Sequence, residues 1–317
     1  MSQMTYADAG KAALAESMRA DPTIWAVGED LGRGGVFGQY MGMEEEFGPE
    51  RIVSAPISEA AIMGSAVGGA LTGTRPVVEL RFADFALCAV DEMVNQAAKA
   101  RYMFGGQAKV PVVIRQPSGM WRSSAAQHSQ MLEAWYAHIP GMVVVMPSTP
   151  ADNYGLLKAA IKCDDPVVYM EHKDLWSLEG EVPSGHTVEI GKASVVAEGS
   201  DVTVVTWSNT RHVATEAMSA LADVSVELID LRSLWPWDRD CVLTSAAKTG
   251  HLLVAHEAVR DGGFGAEVVA TAVEEIPGLK VARLGAPRIP IPYAPPLEDT
   301  VRVTAENIAA AVTRLAG

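Results

Sequence analysis

Short apolar, β-branched runs recur along the chain, and the helix-like stretches between them are the strongest constraint on its fold. Continuous apolar strands that alternate with helices are typical of parallel sheets covered on both faces. The sequence therefore predicts the α/β class. The first set of candidate strands is Ile24–Val27, Val77–Leu80, Val110–Arg115, Met142–Met146 and Val167–Met170. The second set is Val202–Trp207, Val224–Leu231, Leu252–Ala255 and Lys280–Leu284.

A segment without a clear period separates the two sets of strands. Ser177–Gly191 is rich in glycine, proline and charge, as linkers between domains commonly are. The chain has 317 residues, 49% of them apolar, which is too much for one small core. We therefore expect two doubly wound domains, residues 1–180 and residues 190–317.

The charge and the cysteines narrow the classes of partner. Lys and Arg total 25 against 39 Asp and Glu, which gives a net charge of −14. This charge argues against nucleic acid or a membrane as the main partner, although it also simply favours solubility. No apolar run approaches the ~20 residues of a membrane span. The three cysteines are far apart and do not have the spacing of a zinc site. The N-terminus indicates an amphipathic helix instead of a signal peptide, so we expect a cytoplasmic protein.

The segment Ser54–Gly73, SAPISEAAIMGSAVGGALTG, is the most informative for chemistry. Pro56 keeps its neighbour extended, so Ser58-Glu59 stands where a helix begins. The helix that follows carries four glycines: Gly64, Gly68, Gly69 and Gly73. Each costs a helix about 1 kcal/mol relative to alanine, so we expect close packing against another helix, which could come from another subunit. From spacing alone, Glu59 is more simply a carboxylate at the positive end of the helix dipole than a catalytic group.

Two glycine-rich segments resemble phosphate loops, but neither completes a nucleotide-binding pattern. Gly32–Gly38 is expected to form a flexible loop, and Gly262–Gly265 a tight turn into a helix whose N-terminus could accept an anion. In the region Arg115–Gly141, a polar loop places His128 near a helix start at the carboxyl edge of the sheet, where α/β enzymes hold ligands. A lone histidine is more often structural, so these residues alone leave the function open.

Many segments, taken together and in order, resemble one family. They run from VGEDLGRGGVFG and FGPERI through ISEAAIMGSAVGGALTG, RFADF, RYMFGG and AAQHSQMLEAWYAHIPGMVVVMPSTP to MEHK, IDLRSLWPWD, HEAVRDGGFGAE and LGAPRIPIPYAPPLE. The chain resembles the β subunit of the thiamine diphosphate-dependent E1 component of pyruvate, branched-chain 2-oxo acid and acetoin dehydrogenases. RYMFGG, AAQHSQ and MEHK are closer to the acetoin-type members.

The resemblance implies an N-terminal pyrimidine-binding domain and a C-terminal domain like that of transketolase. In the family, the glutamate that matches Glu59 hydrogen-bonds N1′ of the aminopyrimidine. This contact favours the imino tautomer, whose 4′-nitrogen can take a proton from C2 of the thiazolium ring. The resemblance therefore reverses the interpretation of Glu59, from structural to catalytic. Phe85 matches an aromatic residue that packs on the pyrimidine, Ile57 an apolar neighbour of the ring, and His128 a histidine near the substrate and the lipoyl group.

The family's diphosphate-binding motif is missing from this chain. That motif is Gly-Asp-Gly followed by an Asn that binds Mg²⁺, and no GDG occurs in the sequence. The resemblance therefore implies that an α subunit holds the diphosphate and Mg²⁺ in an α2β2 assembly, with the glycine-rich helix as a candidate interface. The acyl group would pass to a lipoylated E2 acyltransferase. Backbone carbonyls match a potassium site of some members at Val112, Ala160, Ile161, Cys163 and Asp165.

One loop departs from the family pattern, and other functions stay open. Relatives carry small residues where this chain has Met120-Trp121-Arg122. We expect Trp121 and Arg122 to narrow or recharge the substrate entrance, unless both point to solvent or to the partner subunit. The alternatives are one half of a split transketolase-like enzyme and a non-catalytic scaffold subunit. A nicotinamide-binding domain ranks last, because no dinucleotide fingerprint is complete.

Overall fold

The computed structural model describes all residues 1–317, and the chain divides into two compact units. The first unit comprises Met1–Ser118 and Trp135–Ile190, and the second comprises Gly119–Ala134 and Gly191–Gly317. The segment Gly119–Ala134, called the 119–134 segment below, thus lies between two stretches of the first unit in sequence but packs within the second. None of the helices combines the length and the apolar character needed to cross a membrane.

The first unit begins with an alternation of strands and helices. Its elements before the 119–134 segment are β1 (Ser2–Thr5), α1 (Tyr6–Ala20), β2 (Ile24–Glu29), α2 (Met43–Phe47), β3 (Ile52–Ala55), α3 (Glu59–Leu71), β4 (Arg75–Glu79), α4 (Ala98–Met103) and β5 (Val113–Ser118). Its later elements are α5 (Glu133–Ala137, which starts inside the 119–134 segment), β6 (Val143–Val145), α6 (Pro150–Lys162), β7 (Val167–His172) and β8 (Glu179–Val182). A 3₁₀ turn at Phe85–Ala89 and a π-helical turn at Glu92–Ala97 precede α4.

Parallel strands form the main sheet of the first unit, in the order β6-β7-β5-β4-β2-β3. Helices α1 and α6 pack against each other, and their apolar faces share one core with the buried valines of the strands. Helix α3 packs against β4 and against the turns at Phe85–Ala89 and Glu92–Ala97. Because all these strands run in the same direction, the loops after β2, β3, β4 and β5 meet at one edge of the sheet, which is where α/β folds bind ligands.

The second unit is a smaller sheet covered by helices. Its elements after the 119–134 segment are β9 (Ser194–Ala197), β10 (Val202–Thr206), α7 (Thr210–Met218), β11 (Val226–Asp230), β12 (Ser233–Trp235), α8 (Arg239–Thr249), β13 (His251–Val259), α9 (Gly265–Glu275), β14 (Lys280–Ala286), α10 (Pro295–Val301) and α11 (Ala305–Ala316). The strand order is β14-β13-β10-β11-β9, and β9 is the antiparallel edge strand. The α/β class and the parallel sheets are therefore confirmed, and each predicted strand overlaps an observed one.

The two ends of the first unit differ from the prediction. The amphipathic helix starts only at Tyr6, where the Thr5 hydroxyl accepts a hydrogen bond from the Asp8 backbone N–H at 3.1 Å. The residues before it form β1, which pairs antiparallel with β8. Strand β8 lies in the segment interpreted as a linker, so that segment is partly a strand. Its alternation was too short to be recognised, because each of the two strands has only four residues.

Candidate functional site

Glu59 is the first residue of α3, as its sequence position predicted. Ser58 before it provides no side-chain cap, so the Glu59 carboxylate lies beside the positive end of the helix without a competing acceptor there. The carboxylate is half-buried and makes no hydrogen bond or ion pair within the chain. Its oxygens are therefore available to a donor that comes from outside the chain.

Two apolar residues lie close to Glu59, one along the chain and one on a turn that packs against α3. Helix α3 packs against the 3₁₀ turn that begins at Phe85, and Phe85 is half-buried with its ring 5.2 Å from that of Phe82. Ile57, two residues before Glu59, is 71% exposed. A carboxylate at a helix start, with an exposed aliphatic residue two positions before it and an aromatic residue on an adjoining turn, is chemically suited to a flat heteroaromatic ring with a protonated nitrogen.

The four glycines predicted for the helix after Glu59 have different structural roles, and only three of them lie within α3. A Cβ at Gly69 would lie 2.9 Å from Cζ2 of Trp25, and Gly73 adopts φ +100° just after the helix ends. Gly64 and Gly68 lie on the exposed face, and no atom approaches within 4 Å of a Cβ placed at Gly68. The predicted packing of α3 against another helix therefore does not occur at Gly64 and Gly68 within this chain.

A buried charge network, which the sequence analysis did not single out, lies within the first sheet. Arg115 donates to both oxygens of Glu171 at 2.8 Å, and its Nη1 lies 3.7 Å from Glu79. Glu79 accepts hydrogen bonds from Gln39 at 3.2 Å and from the Tyr40 hydroxyl at 3.1 Å. The network thus ties the glycine-rich loop that contains Gln39 and Tyr40 to the sheet.

Burial controls the ionisation of this network. Glu79 is 5% exposed, and burial raises its pKa to about 7 despite the nearby guanidinium of Arg115. The charged residues were visible in the sequence, since Glu79, Arg115 and Glu171 each interrupt an apolar strand. A charged residue in a buried strand requires a buried partner, and this signal could have identified the network.

The 119–134 segment carries the remaining candidates. His128 and Trp121 are half-buried, whereas Arg122 is exposed. The guanidinium carbon of Arg122 lies 4.9 Å from the Trp121 ring centroid, so the two side chains stack on each other. Arg122, Ser123 and Ala125 all have left-handed backbone, with φ of 46°, 56° and 64°. Such strain in residues other than glycine is often kept at functional sites.

Four of the five carbonyls of the potassium prediction already accept hydrogen bonds inside the first unit. Nη1 of Arg75 donates to the Ile161 carbonyl at 3.0 Å and to the Cys163 carbonyl at 3.2 Å. The Val112 carbonyl accepts from the Val167 N–H, and the Ala160 carbonyl accepts from the Cys163 N–H. A guanidinium thus already supplies positive charge to part of this group. The fifth member, Asp165, forms an ion pair with Arg101.

The buried ring of His256 explains why the turn Gly262–Gly265 of the second unit needs glycines. His256 is fully buried on β13 and stacks on Trp207, with ring centroids 5.1 Å apart. A Cβ at Gly263 would lie 2.5 Å from Cε1 of His256, and one at Gly265 would lie 2.9 Å from Nε2. The predicted tight turn into a helix is confirmed, but the imidazole accounts for the glycines without a phosphate. Burial lowers the pKa of His256 to about 4, so the ring is neutral near pH 7.

The structure therefore separates the predicted site residues into two groups. Glu59, Ile57, Phe85 and the carbonyl group belong to the first unit, and His128, Trp121 and Arg122 belong to the second. No cluster of three or more His, Cys, Asp or Glu side chains is arranged to hold a metal ion.

Comparison with known proteins assigns a family to each part of the chain. The family described as "Transketolase, pyrimidine binding domain" matches residues 2–177, and "Transketolase, C-terminal domain" matches residues 191–308. Among solved structures, a "Split gene transketolase, inactive beta4 tetramer" superposes with a TM-score of 0.82 at 25% identity, covering 98% of both chains.

Curated relatives are similar over the full length. The chain is 41% identical to the 2-oxoisovalerate dehydrogenase subunit beta of Bacillus subtilis (strain 168), covering 100% of this chain and 99% of that protein. It is 42% identical to the acetoin:2,6-dichlorophenolindophenol oxidoreductase subunit beta of Cupriavidus necator, covering 95% and 94%. It is 39% identical to the mitochondrial pyruvate dehydrogenase E1 component subunit beta-2 of Oryza sativa subsp. japonica, covering 98% and 86%.

Proposed function

Because the chain belongs to the transketolase-like family of E1 β subunits of 2-oxo acid and acetoin dehydrogenases, we propose that it forms the pyrimidine half of a thiamine diphosphate site. The complete enzyme would decarboxylate a 2-oxo acid oxidatively, or cleave acetoin, and transfer the acyl group to a lipoylated E2. The observation that carries this proposal is Glu59, a half-buried carboxylate without an intrachain partner, at the start of α3.

Glu59 is the residue that would activate the cofactor. Thiamine diphosphate supplies a carbon nucleophile that adds to a carbonyl and accepts the electron pair left by the departing group. Glu59 would hold a proton at N1′ of the pyrimidine, with Ile57 and Phe85 as apolar neighbours of the ring. The chemistry needs an acceptor that no residue of the chain already occupies, and Glu59 meets this condition.

An α subunit would hold the diphosphate and Mg²⁺. The absence of a GDG motif and of a clustered metal-binding set supports this division of the site. Exposed apolar side chains lie on and beside α3: Ile57, Leu71 and Leu87 are 71%, 42% and 44% exposed. Together with the open face at Gly64 and Gly68, they offer a surface that a partner could cover, as expected for an α2β2 assembly.

Residues of the 119–134 segment would contact the substrate. We assign to His128 a role near the substrate and the lipoyl group, and to Trp121 and Arg122 the shape and charge of the entrance. The stack of Arg122 on Trp121 leaves the guanidinium exposed and able to bind a carboxylate. If the double variant Trp121→Gly, Arg122→Ala kept the full preference among 2-oxo acids and acetoin, this assignment would be abandoned.

Potassium remains a second proposal for the carbonyl group around Cys163. A carbonyl oxygen can accept twice, so a cation could share the Ile161 and Cys163 oxygens with Arg75. The melting temperature in KCl should then exceed that in NaCl at the same ionic strength, because binding to the folded state alone stabilises it. Equal melting temperatures would argue that Arg75 takes the place of the ion.

The test is thiamine diphosphate binding, measured by calorimetry, for this chain alone and for the chain co-expressed with its α subunit. We expect tight, Mg²⁺-dependent binding by the assembled pair only, and loss of turnover with retained assembly in Glu59→Gln. Tight binding by this chain alone would refute the divided site. Absence of binding by a properly assembled pair would favour the scaffold alternative.

The split transketolase alternative has one observation in its favour, which is the superposition at a TM-score of 0.82. The two enzyme classes differ in their acceptor. Turnover that requires lipoylated E2 would support the dehydrogenase, whereas transfer of a two-carbon unit to a sugar phosphate without lipoate would support the transketolase-like enzyme.

A further inference from the structure

The motif HEAVRDGGFG of the second unit has no role in the proposed function so far. It contributes the end of β13, the turn and the start of α9. These elements lie at the carboxyl edge of the second sheet, next to the end of β10. Along the chain, β11 follows on one side of β10 and β13 then follows on its other side, so the order of the strands switches at this point. Open α/β sheets place their functional loops at such a point.

Two hydrogen bonds tie the 119–134 segment to this edge, one near each end of the segment. The backbone N–H of Met120 donates to Oε1 of Glu257 at 2.6 Å. Nε1 of Trp207, the residue after β10, donates to Oε1 of Glu133 at 3.2 Å. Met120, Glu133 and Trp207 are at most 1% exposed, and Glu257 is 8% exposed. Hydrogen bonds of buried carboxylates are stronger than neutral ones, and their loss is costly.

The donor of the second bond is itself held in place. Trp207 stacks on the imidazole of His256, with an interplanar angle of 18°. The imidazole is oriented by its own Nδ1, which lies 3.1 Å from the Ala258 carbonyl. Gly263 and Gly265 leave the space that the ring fills. The motif therefore builds one support from His256 through Trp207 and a second from Glu257.

In the sequence, His128 lies between Met120 and Glu133, the two residues that these supports hold, in a segment whose backbone is strained. Left-handed residues at Arg122, Ser123 and Ala125 persist only where the surrounding structure holds them. We propose that Glu257 and Trp207 are positioning residues, which hold both ends of the 119–134 segment and thereby fix the place of the His128 imidazole. This inference rests on the role of His128 in the proposed function, and it gives the second domain a part in the chemistry.

The first test measures the segment directly in the full-length chain by hydrogen–deuterium exchange. Glu257→Ala should raise exchange in peptides that cover residues 119–134 and leave the strands of the second sheet protected. Glu257→Gln keeps an acceptor and should restore most of the protection, and Trp207→Phe keeps the ring stack but should loosen the Glu133 end. Glu267→Ala, an exposed glutamate at the start of α9, is the matched control. Unchanged exchange in Glu257→Ala and Trp207→Phe would overturn the inference.

The second test is a double-mutant cycle in the enzyme assembled with its α subunit. A misplaced catalytic group can cost as much as about 100-fold in rate, so Glu257→Ala should lower kcat strongly and KM little. In a His128→Ala background the same substitution should cause no further loss. If Glu257→Ala lowered kcat by the same factor in the His128→Ala background as in the wild type, Glu257 would not act through His128, and the inference would be overturned. If His128→Ala alone kept full turnover while exchange still rose in Glu257→Ala, the proposed role of His128 would fail but the support of the segment would stand.

Discussion

The buried imidazole of His256 should make the second unit sensitive to acid. Burial holds the pKa of His256 at about 4 in the folded chain, against 6.5 for an ordinary histidine. The unfolded chain therefore takes up a proton first as the pH falls. The contribution of His256 is fully present above pH 6.5 and is lost as the pH falls through about 4. One pKa unit corresponds to about 1.4 kcal/mol, so the shift from 6.5 to about 4 corresponds to a loss of about 3 kcal/mol.

The assay compares urea unfolding of the wild-type chain and of His256→Asn at several pH values between 8 and 4. The asparagine amide can still donate to the Ala258 carbonyl but does not titrate. At pH 8 the difference in the free energy of unfolding reports the lost packing of the ring on Trp207 and against Gly263 and Gly265. On acidification the wild type should lose up to about 3 kcal/mol more than the variant. A difference that stayed constant from pH 8 to pH 4 would refute the reasoning, because it would mean that the folded chain accepts a proton on this ring without cost.

Three further changes test the packing described above. Glu79→Gln should show the opposite pH trend in the same urea assay. The pKa of Glu79 is raised to about 7, so its contribution to stability is present below about pH 4.5 and is lost as the pH rises through about 7. Over that range the variant should gain stability relative to the wild type. Arg115→Met leaves two buried carboxylates without their cation and should cost about 3–5 kcal/mol in thermal unfolding; a loss below about 1 kcal/mol would contradict the network. Gly263→Ala places a Cβ 2.5 Å from Cε1 of His256 and should destabilise the chain by about 1–3 kcal/mol, more than Gly262→Asn, whose added Cβ meets open space.

Much of the fold was predictable from the sequence, because long buried strands carry a strong signal. The runs at β4, β7 and β10 are mostly apolar and buried on both faces, so each could be recognised from a few residues. Strands β1 and β8 could not be recognised, since their side chains are largely exposed and only their mutual pairing defines them.

The site was predictable only in part. The position of Glu59 at a helix start follows from local signals, namely the proline two residues before Ser58 and the apolar run after it. The supports of the 119–134 segment could not be predicted in this way. Glu257 and Met120 are 137 positions apart, and nothing local to either residue indicates the other. Such pairings depend on tertiary packing, to which spacing and periodicity are blind.

The placement of the 119–134 segment also has a consequence for the order in which the chain is synthesised. The ribosome completes the main sheet of the first unit by residue 172, while Trp207 and Glu257 have not yet been made. During that interval the segment that contains His128 lacks its two supporting hydrogen bonds, although the first unit can already begin to fold. It can settle only after β13 has emerged. A nascent chain stalled before β13 should therefore be cut by a protease between residues 119 and 134 faster than the finished protein.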